Sequence, residues 1–470
     1  MDVDVAVIGA GISGLSTAVD LARRGHGVIA IERHARPGGK AQSERIDGFL
    51  MEHGPSSVVA AGATPLLPQY FTAEHDRVDL EPGVRRRYLM ADGRLHGIAV
   101  HPLAFLTSNF LSKRGRLRLL AEAIVPSRGA GMEETVAAFC RRRFGHEFAD
   151  RVIDPLVGGM FAGTAESLSV AATFPRLVEL ESNYGSILRG VFIGRVSGKR
   201  MPARRLFSWR DGIGTLPTAL AAQLGSRLKV GVTVRRIAAH PHGFVLTTAG
   251  AGSIRARAVV IATQPHVAAE LLANVDATAA KAAAQIAAPP IAVVFLGYER
   301  AQIAHPLDGI GYLASTGEHR RVNGSLFCST MFRYRAPDGF VSLAAYIGGD
   351  RAPELARLAP DELIDIARHE FAMLLDARGE PVLARVRHWP RGLPQYRVGH
   401  RELVAALNGI SERQPGLFLT GNYLDGVSVA ACIAHGRKTA DDVDAQLRRP
   451  STFGSFRQDH TAGRLKGTGS

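Results

Sequence analysis

The stretch Val3-Asp4-Val5-Ala6-Val7-Ile8-Gly9-Ala10-Gly11-Ile12-Ser13-Gly14 decides how the rest of the chain is read. Residues 3–8 are an apolar run of strand length, rich in β-branched side chains. Gly9, Gly11 and Gly14 follow at the spacing G-x-G-x-x-G. The glycines make the tight turn, let backbone approach a pyrophosphate and let the next helix pack close. A helix over residues 13–24 presents its N-terminal N–H groups and positive dipole end to those phosphates. Residues 28–31 read as a second strand. Glu32 ends it at the distance expected of the acid that binds a ribose 2′-hydroxyl. Glycine-rich turns alone are common, but strand, glycines, helix, strand and acid in this order predict dinucleotide binding. Ala10, Ile12 and Ser13 within the turn, and Arg33 beside the acid, join the candidate contacts.

The residues after Glu32 decide which dinucleotide. Arg36-Pro37-Gly38-Gly39-Lys40 follows at once, then Glu52-His53-Gly54-Pro55-Ser56. In isolation Pro-Gly-Gly is a solvent-exposed turn. Here Gly38 and Gly39 offer side-chain-free backbone to a flavin, with Lys40 near phosphate or ring, and Gly54, Pro55 and Ser56 form a second loop. A nicotinamide-only enzyme has no need of that loop, so FAD is favoured. At the far end, Gly421-Asn422-Tyr423-Leu424-Asp425-Gly426-Val427 reads as a segment closing on the same cofactor through Gly421, Asn422, Gly426 and Val427. Residues 258–263 form a short buried strand, ending at Thr263 where the chain crosses back over the cofactor. Val234 is positioned to give backbone hydrogen bonds to adenine. For these last two residues an ordinary core strand remains the alternative.

With 470 residues the chain is too large for one simple core, and two or three domains are expected. The net charge of +14, from 57 Lys and Arg against 43 Asp and Glu, fits nucleic acid, an anionic membrane or an anionic substrate. No zinc finger, RNA-binding aromatic motif or long basic tract supports nucleic acid. The cysteines Cys140, Cys328 and Cys432 are widely spaced and lack a CxxC, which argues for a reducing compartment and against a structural metal. No apolar run is long enough to span a bilayer, and the first strand starts too early for a signal peptide. The expected location is cytoplasmic, with peripheral contact on the inner face of the membrane left open.

These patterns give an α/β fold with three parts. A Rossmann-like FAD-binding domain is assembled from discontinuous segments 1–88, 207–288 and 400–447. A helical insertion spans 89–206, and a mixed-sheet substrate domain spans 289–399, with strands over 291–298, 326–332 and 341–347 and a helix over 361–375. Residues 448–470 read as a disordered tail. Within the insertion, residues 102–128 interleave Leu103, Phe105, Leu106, Phe110, Leu111, Leu117, Leu119 and Leu120 with Lys113, Arg114, Arg116 and Arg118. That pattern suits a membrane surface or a helical pair packed on the enzyme.

Four segments carry a resemblance. Beside the 9–57 region stand Asp154-Pro155-Leu156-Val157-Gly158-Gly159-Met160-Phe161-Ala162-Gly163 with Leu168-Ser169 and Phe174-Pro175; Phe207-Ser208-Trp209 with Gly212 and Thr215-Leu216-Pro217; and Pro394-Gln395-Tyr396, Gly399-His400, Gly421–Val427, Cys432-Ile433 and Gly436-Arg437. Together they resemble the FAD-dependent protoporphyrinogen/coproporphyrinogen oxidases of heme synthesis, over nearly the whole chain.

The resemblance implies a large, electron-rich, anionic tetrapyrrole as substrate, oxidised by repeated removal of hydride from a bridging carbon and a proton from a pyrrole nitrogen. Dioxygen is the expected acceptor, and a homodimer is left open. Gly159 is similar to the glycine that lets a ring carbon approach the flavin, Ile310 and Leu313 to an apolar clamp, and Arg87 to an arginine that forks a propionate. No side chain is assigned as a catalytic acid, base or nucleophile, because the flavin carries the hydride chemistry. Two departures stand out: Ser56 replaces an arginine of some relatives, and Ile310 is smaller than the aromatic clamp. A flavin oxidase of amines or partially reduced nitrogen heterocycles is the alternative. A non-catalytic carrier of prenylated proteins is disfavoured by the complete flavin motifs.

Overall fold

A computed structural model describes residues 2–61, 76–99, 108–128, 133–196, 204–250 and 252–449. The chain opens with β1 (Asp2–Ile8), α1 (Ile12–Arg23) and β2 (Val28–Ile31), then the hairpin β3 (Ser43–Ile46) and β4 (Phe49–Glu52). β5 (Val58–Ala61), β6 (Arg77–Asp79), β7 (Arg86–Ala91) and β8 (Arg94–Ala99) follow. A helical stretch comes next, with α2 (Lys113–Leu120), α3 (Val136–Phe144), α4 (Asp154–Phe161), α5 (Pro175–Tyr184) and α6 (Ile187–Val196). The chain returns through β9 (Arg204–Trp209) and α7 (Thr215–Leu224) to β10 (Leu228–Lys229), β11 (Val234–His240), β12 (Gly243–Thr248) and β13 (Ser253–Ile261). β14 (Ile291–Glu299), β15 (Gly309–Ala314), β16 (Val322–Phe327) and β17 (Phe340–Gly348) precede α8 (Pro360–Leu375) and β18 (Leu383–Trp389). The last elements are α9 (His400–Asn408), β19 (Leu417–Leu419) and α10 (Val429–Arg448).

Two seven-stranded sheets organise these elements. The first runs β10-β2-β1-β13-β12-β11, with β19 also on β13. Its centre is parallel, and Val5, Ala6 and Val7 of β1 are fully buried, as expected of a strand covered on both faces. The glycine of α10 that matters most is Gly436. An added Cβ there would lie 2.5 Å from the Ser13 carbonyl, so α10 packs almost backbone to backbone on α1. Thr17 Oγ1 donates to Gly436 O at 2.8 Å, and His26 Nε2 meets Asp444 Oδ1 at 2.7 Å. This contact returns the C-terminal end of the chain to the N-terminal glycine turn.

The second sheet runs β18-β14-β17-β16-β15-β7-β8. α8 covers one face with Leu363, Ala367 and Phe371. Against the other lie the β3–β4 hairpin, through Phe49 and Met51, and the helical layer around Phe110, Phe139 and Val157.

The secondary structure differs from the sequence reading in two places. The helical pattern expected from residue 89 begins only at α2, because β7 and β8 form a hairpin at the edge of the second sheet. Asp92 and Gly93 both take positive φ (53° and 73°), which gives the two-residue turn the twist of its strands. The strand expected over 326–332 stops at Phe327, and Cys328–Met331 is a helical turn. Of the amphipathic stretch over 102–128, residues 102–107 lie outside the described residues. So do residues 450–470 of the expected tail; α10 itself continues to Arg448.

Candidate active site

The site is built by register. Ile8 of β1 is level with Ile31 of β2 and Ile261 of β13, and Ile261 is level with Leu419 of β19. Four strands therefore end on one line, and the residues that follow emerge together along the carboxyl edge of the sheet. Ligands of open α/β sheets bind at that edge. Gly9 N donates to Ile31 O at 2.8 Å, Ala262 N to Ile8 O at 2.8 Å and Thr420 N to Ile261 O at 3.0 Å. Gly9, Glu32, Thr263 and Gly421 are thus brought side by side from four distant parts of the sequence. Val234 opens β11 two residues after Val232, whose N–H donates to the Glu32 carbonyl at 2.9 Å, so it joins the same edge.

Each glycine of the turn has a separate task. At Gly9 (φ 104°) a Cβ would stand 2.7 Å from Ala262 O, and at Gly14 it would stand 2.1 Å from Gly9 O. Both are demanded by the protein's own packing. At Gly11 a Cβ would meet nothing within 4 Å. The α1 N-terminus beside it has no side-chain cap and no acid in its first turn. Open space, free N–H donors and a positive dipole end are what a pyrophosphate requires. Ala10, Ile12 and Ser13 are buried within this turn. Glu32 is buried too, with Oε2 accepting from Ala10 N and Oε1 from His34 N, both at 2.9 Å. Arg33 is exposed and donates to His34 Nε2 at 3.1 Å.

The two loops stack on this turn. Gly38 N donates to Ala10 O at 2.7 Å, and Gly39 lies so close that its added Cβ would be 3.4 Å from Gly11 Cα. Gly54 packs on Lys40, with an added Cβ 2.3 Å from Lys40 O, and Pro55 and Ser56 continue half-buried toward β5. Burial lowers the Lys40 ammonium to about 8, with Arg33 adding repulsion. It lies 6.0 Å from the ring centre of Trp389, whose Nε1 donates to His53 O at 2.5 Å. Trp389 ends β18 and carried no signal in the sequence reading.

The C-terminal motif completes the edge. Gly421 and Gly426 both have positive φ (156° and 84°). Asn422 O accepts from Tyr396 Oη at 2.5 Å, and Tyr423 O is met by His400 Nε2 at 2.9 Å. Val427 leaves the cofactor edge and packs against the apolar cluster that holds Val157, Phe161 and Leu313.

That cluster is where the candidate substrate residues gather. In α4, reached through a π-helical turn at Ala149–Ile153, Gly159 faces Leu313: an added Cβ would be 2.5 Å from Leu313 Cδ2. Arg87 lies on β7 with the parity of Leu89, which belongs to the same cluster. Burial lowers the Arg87 guanidinium from its usual range, and no carboxylate pairs with it among the described residues. Neighbouring Arg86 has Asp308 at 3.6 Å. Ile310 is separate: it is buried with Met331 and Phe332, beside Val78 and Leu206. Leu313 belongs to the other cluster, and the strand register between them is irregular, shifting between Gly309 and Tyr312.

A glycine turn on a parallel sheet, two stacked glycine loops and a returning C-terminal segment together define a dinucleotide-binding flavoprotein. The profile of the family described as flavin containing amine oxidoreductase matches residues 12–444, and the chain belongs to that family. It is an FAD-dependent oxidoreductase. Among curated relatives, the chloroplastic protoporphyrinogen oxidase of Nicotiana tabacum is 30% identical over 95% of this chain and 86% of its own. The coproporphyrinogen III oxidase of Bacillus subtilis is 25% identical over 93% and 97%. A crystal structure from Exiguobacterium sp. 255-15, provisionally assigned as a protoporphyrinogen oxidase, superposes with a TM-score of 0.80 at 22% identity, covering 94% of this chain and 99% of that one. Cyclohexylamine oxidase from Brevibacterium oxydans shares the fold at a TM-score of 0.70 and 19% identity, covering 96% of this chain and 100% of that one.

Proposed function

We propose that this protein oxidises a porphyrinogen, protoporphyrinogen IX or coproporphyrinogen III, to the porphyrin in heme biosynthesis, with dioxygen as acceptor. One observation carries the reading beyond the names of the relatives. Gly159 packs on Leu313, which shares one apolar cluster with Val427 of the cofactor segment, and Arg87 stands on the adjoining strand with no carboxylate partner among the described residues. An apolar wall with one unpaired guanidinium suits a large apolar ring with carboxylate arms. FAD, when bound, accepts the hydride of each oxidation. The chain's own residues orient the ring: Gly159 leaves room, Leu313 supplies apolar surface, and Arg87 forks a carboxylate.

The test uses purified protein with its flavin. Coproporphyrinogen III and protoporphyrinogen IX are added separately, and porphyrin fluorescence and peroxide are followed against a no-enzyme control. Enzyme-dependent fluorescence is expected with at least one substrate. A flavoprotein that leaves both at the background rate refutes the reading and favours an oxidase of amines or nitrogen heterocycles.

Peripheral membrane contact belongs to the same proposal. No described helix is long and apolar enough to cross a bilayer. Leu117 and Leu120 of α2, Ile124 beyond it, and Phe192 and Ile193 of α6 are nonetheless exposed, Ile124 at 77% and Phe192 at 69%. Lys113, Arg114 and Arg189 are exposed on the same two helices. Apolar side chains among cations suit an anionic surface. Cosedimentation with vesicles containing phosphatidylglycerol should be weakened by salt and by Phe192→Asp. Recovery in the supernatant at low salt counts against it.

A further inference from the structure

The segment 395–400 joins the substrate layer to the cofactor loop and belongs to neither. On one side Gln395 Nε2 donates to Phe161 O at the end of α4 (2.9 Å), and Ser169 N donates to Tyr396 O (2.8 Å). Glu133, from the helical layer, accepts from Gly399 N at 2.7 Å and from Ser169 Oγ. On the other side Tyr396 and His400 stack ring on ring, with centroids 4.2 Å apart and planes at 12°. Each then reaches a successive carbonyl of the 421–427 loop: Tyr396 Oη donates to Asn422 O and His400 Nε2 to Tyr423 O. Both side chains are buried, at 2% and 3% exposure.

The carbonyl of Tyr423 can only accept, so His400 must carry its proton on Nε2, which leaves Nδ1 as a buried acceptor without a partner among the described residues. Burial also holds the imidazole in its neutral form, lowering its pKa below the ordinary histidine range. A neutral ring of one fixed tautomer, stacked on a phenol that donates to the preceding carbonyl, has its one N–H committed to backbone. It is built to hold backbone.

We propose that Tyr396 and His400 are positioning residues for FAD: their paired donors fix the backbone of Asn422 and Tyr423, so that Gly421–Val427 is already shaped for the cofactor before it binds. Without FAD, a carbonyl released by loss of its donor can turn to water. Binding must then restore the loop, so the lost hydrogen bond is felt in cofactor affinity. The inference rests on the flavin alone and is independent of which substrate is oxidised.

The experiment titrates FAD-stripped full-length protein with FAD, following the quenching of flavin fluorescence, for Tyr396→Phe, His400→Leu, His400→Gln and His400→Asn. Thermal midpoints are measured with and without FAD. Tyr396→Phe and His400→Leu should raise the FAD dissociation constant about 5- to 30-fold. His400→Gln, whose amide nitrogen occupies the Nε2 position, should restore most of the loss, and the shorter His400→Asn should not. If His400→Leu fails to fold, the Gln/Asn contrast and the single-atom change Tyr396→Phe still decide. FAD affinities within about twofold of the parent, with both thermal midpoints falling together, would show that the pair only holds the fold and overturn the proposal.

Discussion

Replacing Arg87 by Met separates stability from function in opposite directions. Methionine keeps an unbranched apolar stem, and the change removes only the guanidinium. In the substrate-free protein that group is half-buried, depressed in pKa by burial and without a carboxylate among the described residues. An unpaired, partly desolvated charge opposes folding. Screening at this exposure leaves the penalty at about 1 kcal/mol or less. Arg87→Met should therefore hold the thermal midpoint or raise it by no more than about 2 °C. With substrate the sign reverses. A charge-assisted hydrogen bond to a carboxylate contributes about 1.5–3 kcal/mol. Its loss should lower kcat/KM about 10- to 150-fold, mostly through KM.

The assay pairs a circular-dichroism melt with steady-state porphyrin fluorescence on the same preparations. Arg87→Lys keeps the charge and loses the planar fork, so its KM should lie between parent and Met. A Met variant that melts well below the parent while its KM is unchanged would falsify the reasoning and make Arg87 a structural residue. The comparison with Arg86 supplies a control: that side chain has Asp308 and lies on the opposite face, so Arg86→Met should leave KM alone.

Gly11→Ala should fold like the parent, since its Cβ meets nothing within 4 Å, yet lose at least about tenfold in FAD affinity by fluorescence titration; Gly14→Ala, 2.1 Å from the Gly9 carbonyl, should fail to give soluble protein. Burial raises Glu52 to about 7, against the opposing pull of Arg335 and hydrogen bonds from Ser43 and Ile213 N. The folded protein holds that proton more tightly than the unfolded chain, so this contribution is full below about 4.5 and is lost as pH rises through about 7. His53, His266, His305, His400 and His435, all lowered by desolvation, slope the other way, so the difference between parent and Glu52→Gln in urea melts across pH isolates the carboxyl. Lys40, lowered to about 8, should make FAD-free stability rise with pH above 8 toward the unfolded lysine value, a slope that Lys40→Met removes.

The first βαβ unit was legible because every level of its sequence agrees: apolar strand, glycines at fixed spacing, helix, strand, acid. Bringing Glu32 and Thr263 beside Gly9 needed the register of three strands, which no local pattern states. β7 and β8 were missed although Asp92-Gly93 is a hairpin signal, because three arginines and a histidine break the apolar alternation around it. Ile310 and Leu313 read as one clamp in sequence, three residues apart. On a strand, residues three apart alternate to opposite faces, and the structure places them in different clusters. The Tyr396–His400 pair had a motif but no readable task, since its partners are backbone carbonyls reached only through tertiary packing.

The parity of β7 shows why such a site hides among ordinary residues. Arg85-Arg86-Arg87 reads as one basic patch. Once β7 is paired with β15 and β8, alternation gives Arg86 to Asp308 and sets Arg87 on the face of Leu89 and the helical layer. A shift of one residue would exchange those roles. The same holds for the cofactor edge, where function rests on the open space kept beside Gly11 and on carbonyls held by Tyr396 and His400. In a protein that leaves the redox chemistry to its cofactor, the sensitive positions are those that fix backbone and face parity. Substitutions there should change affinity and KM before they change the chemical step.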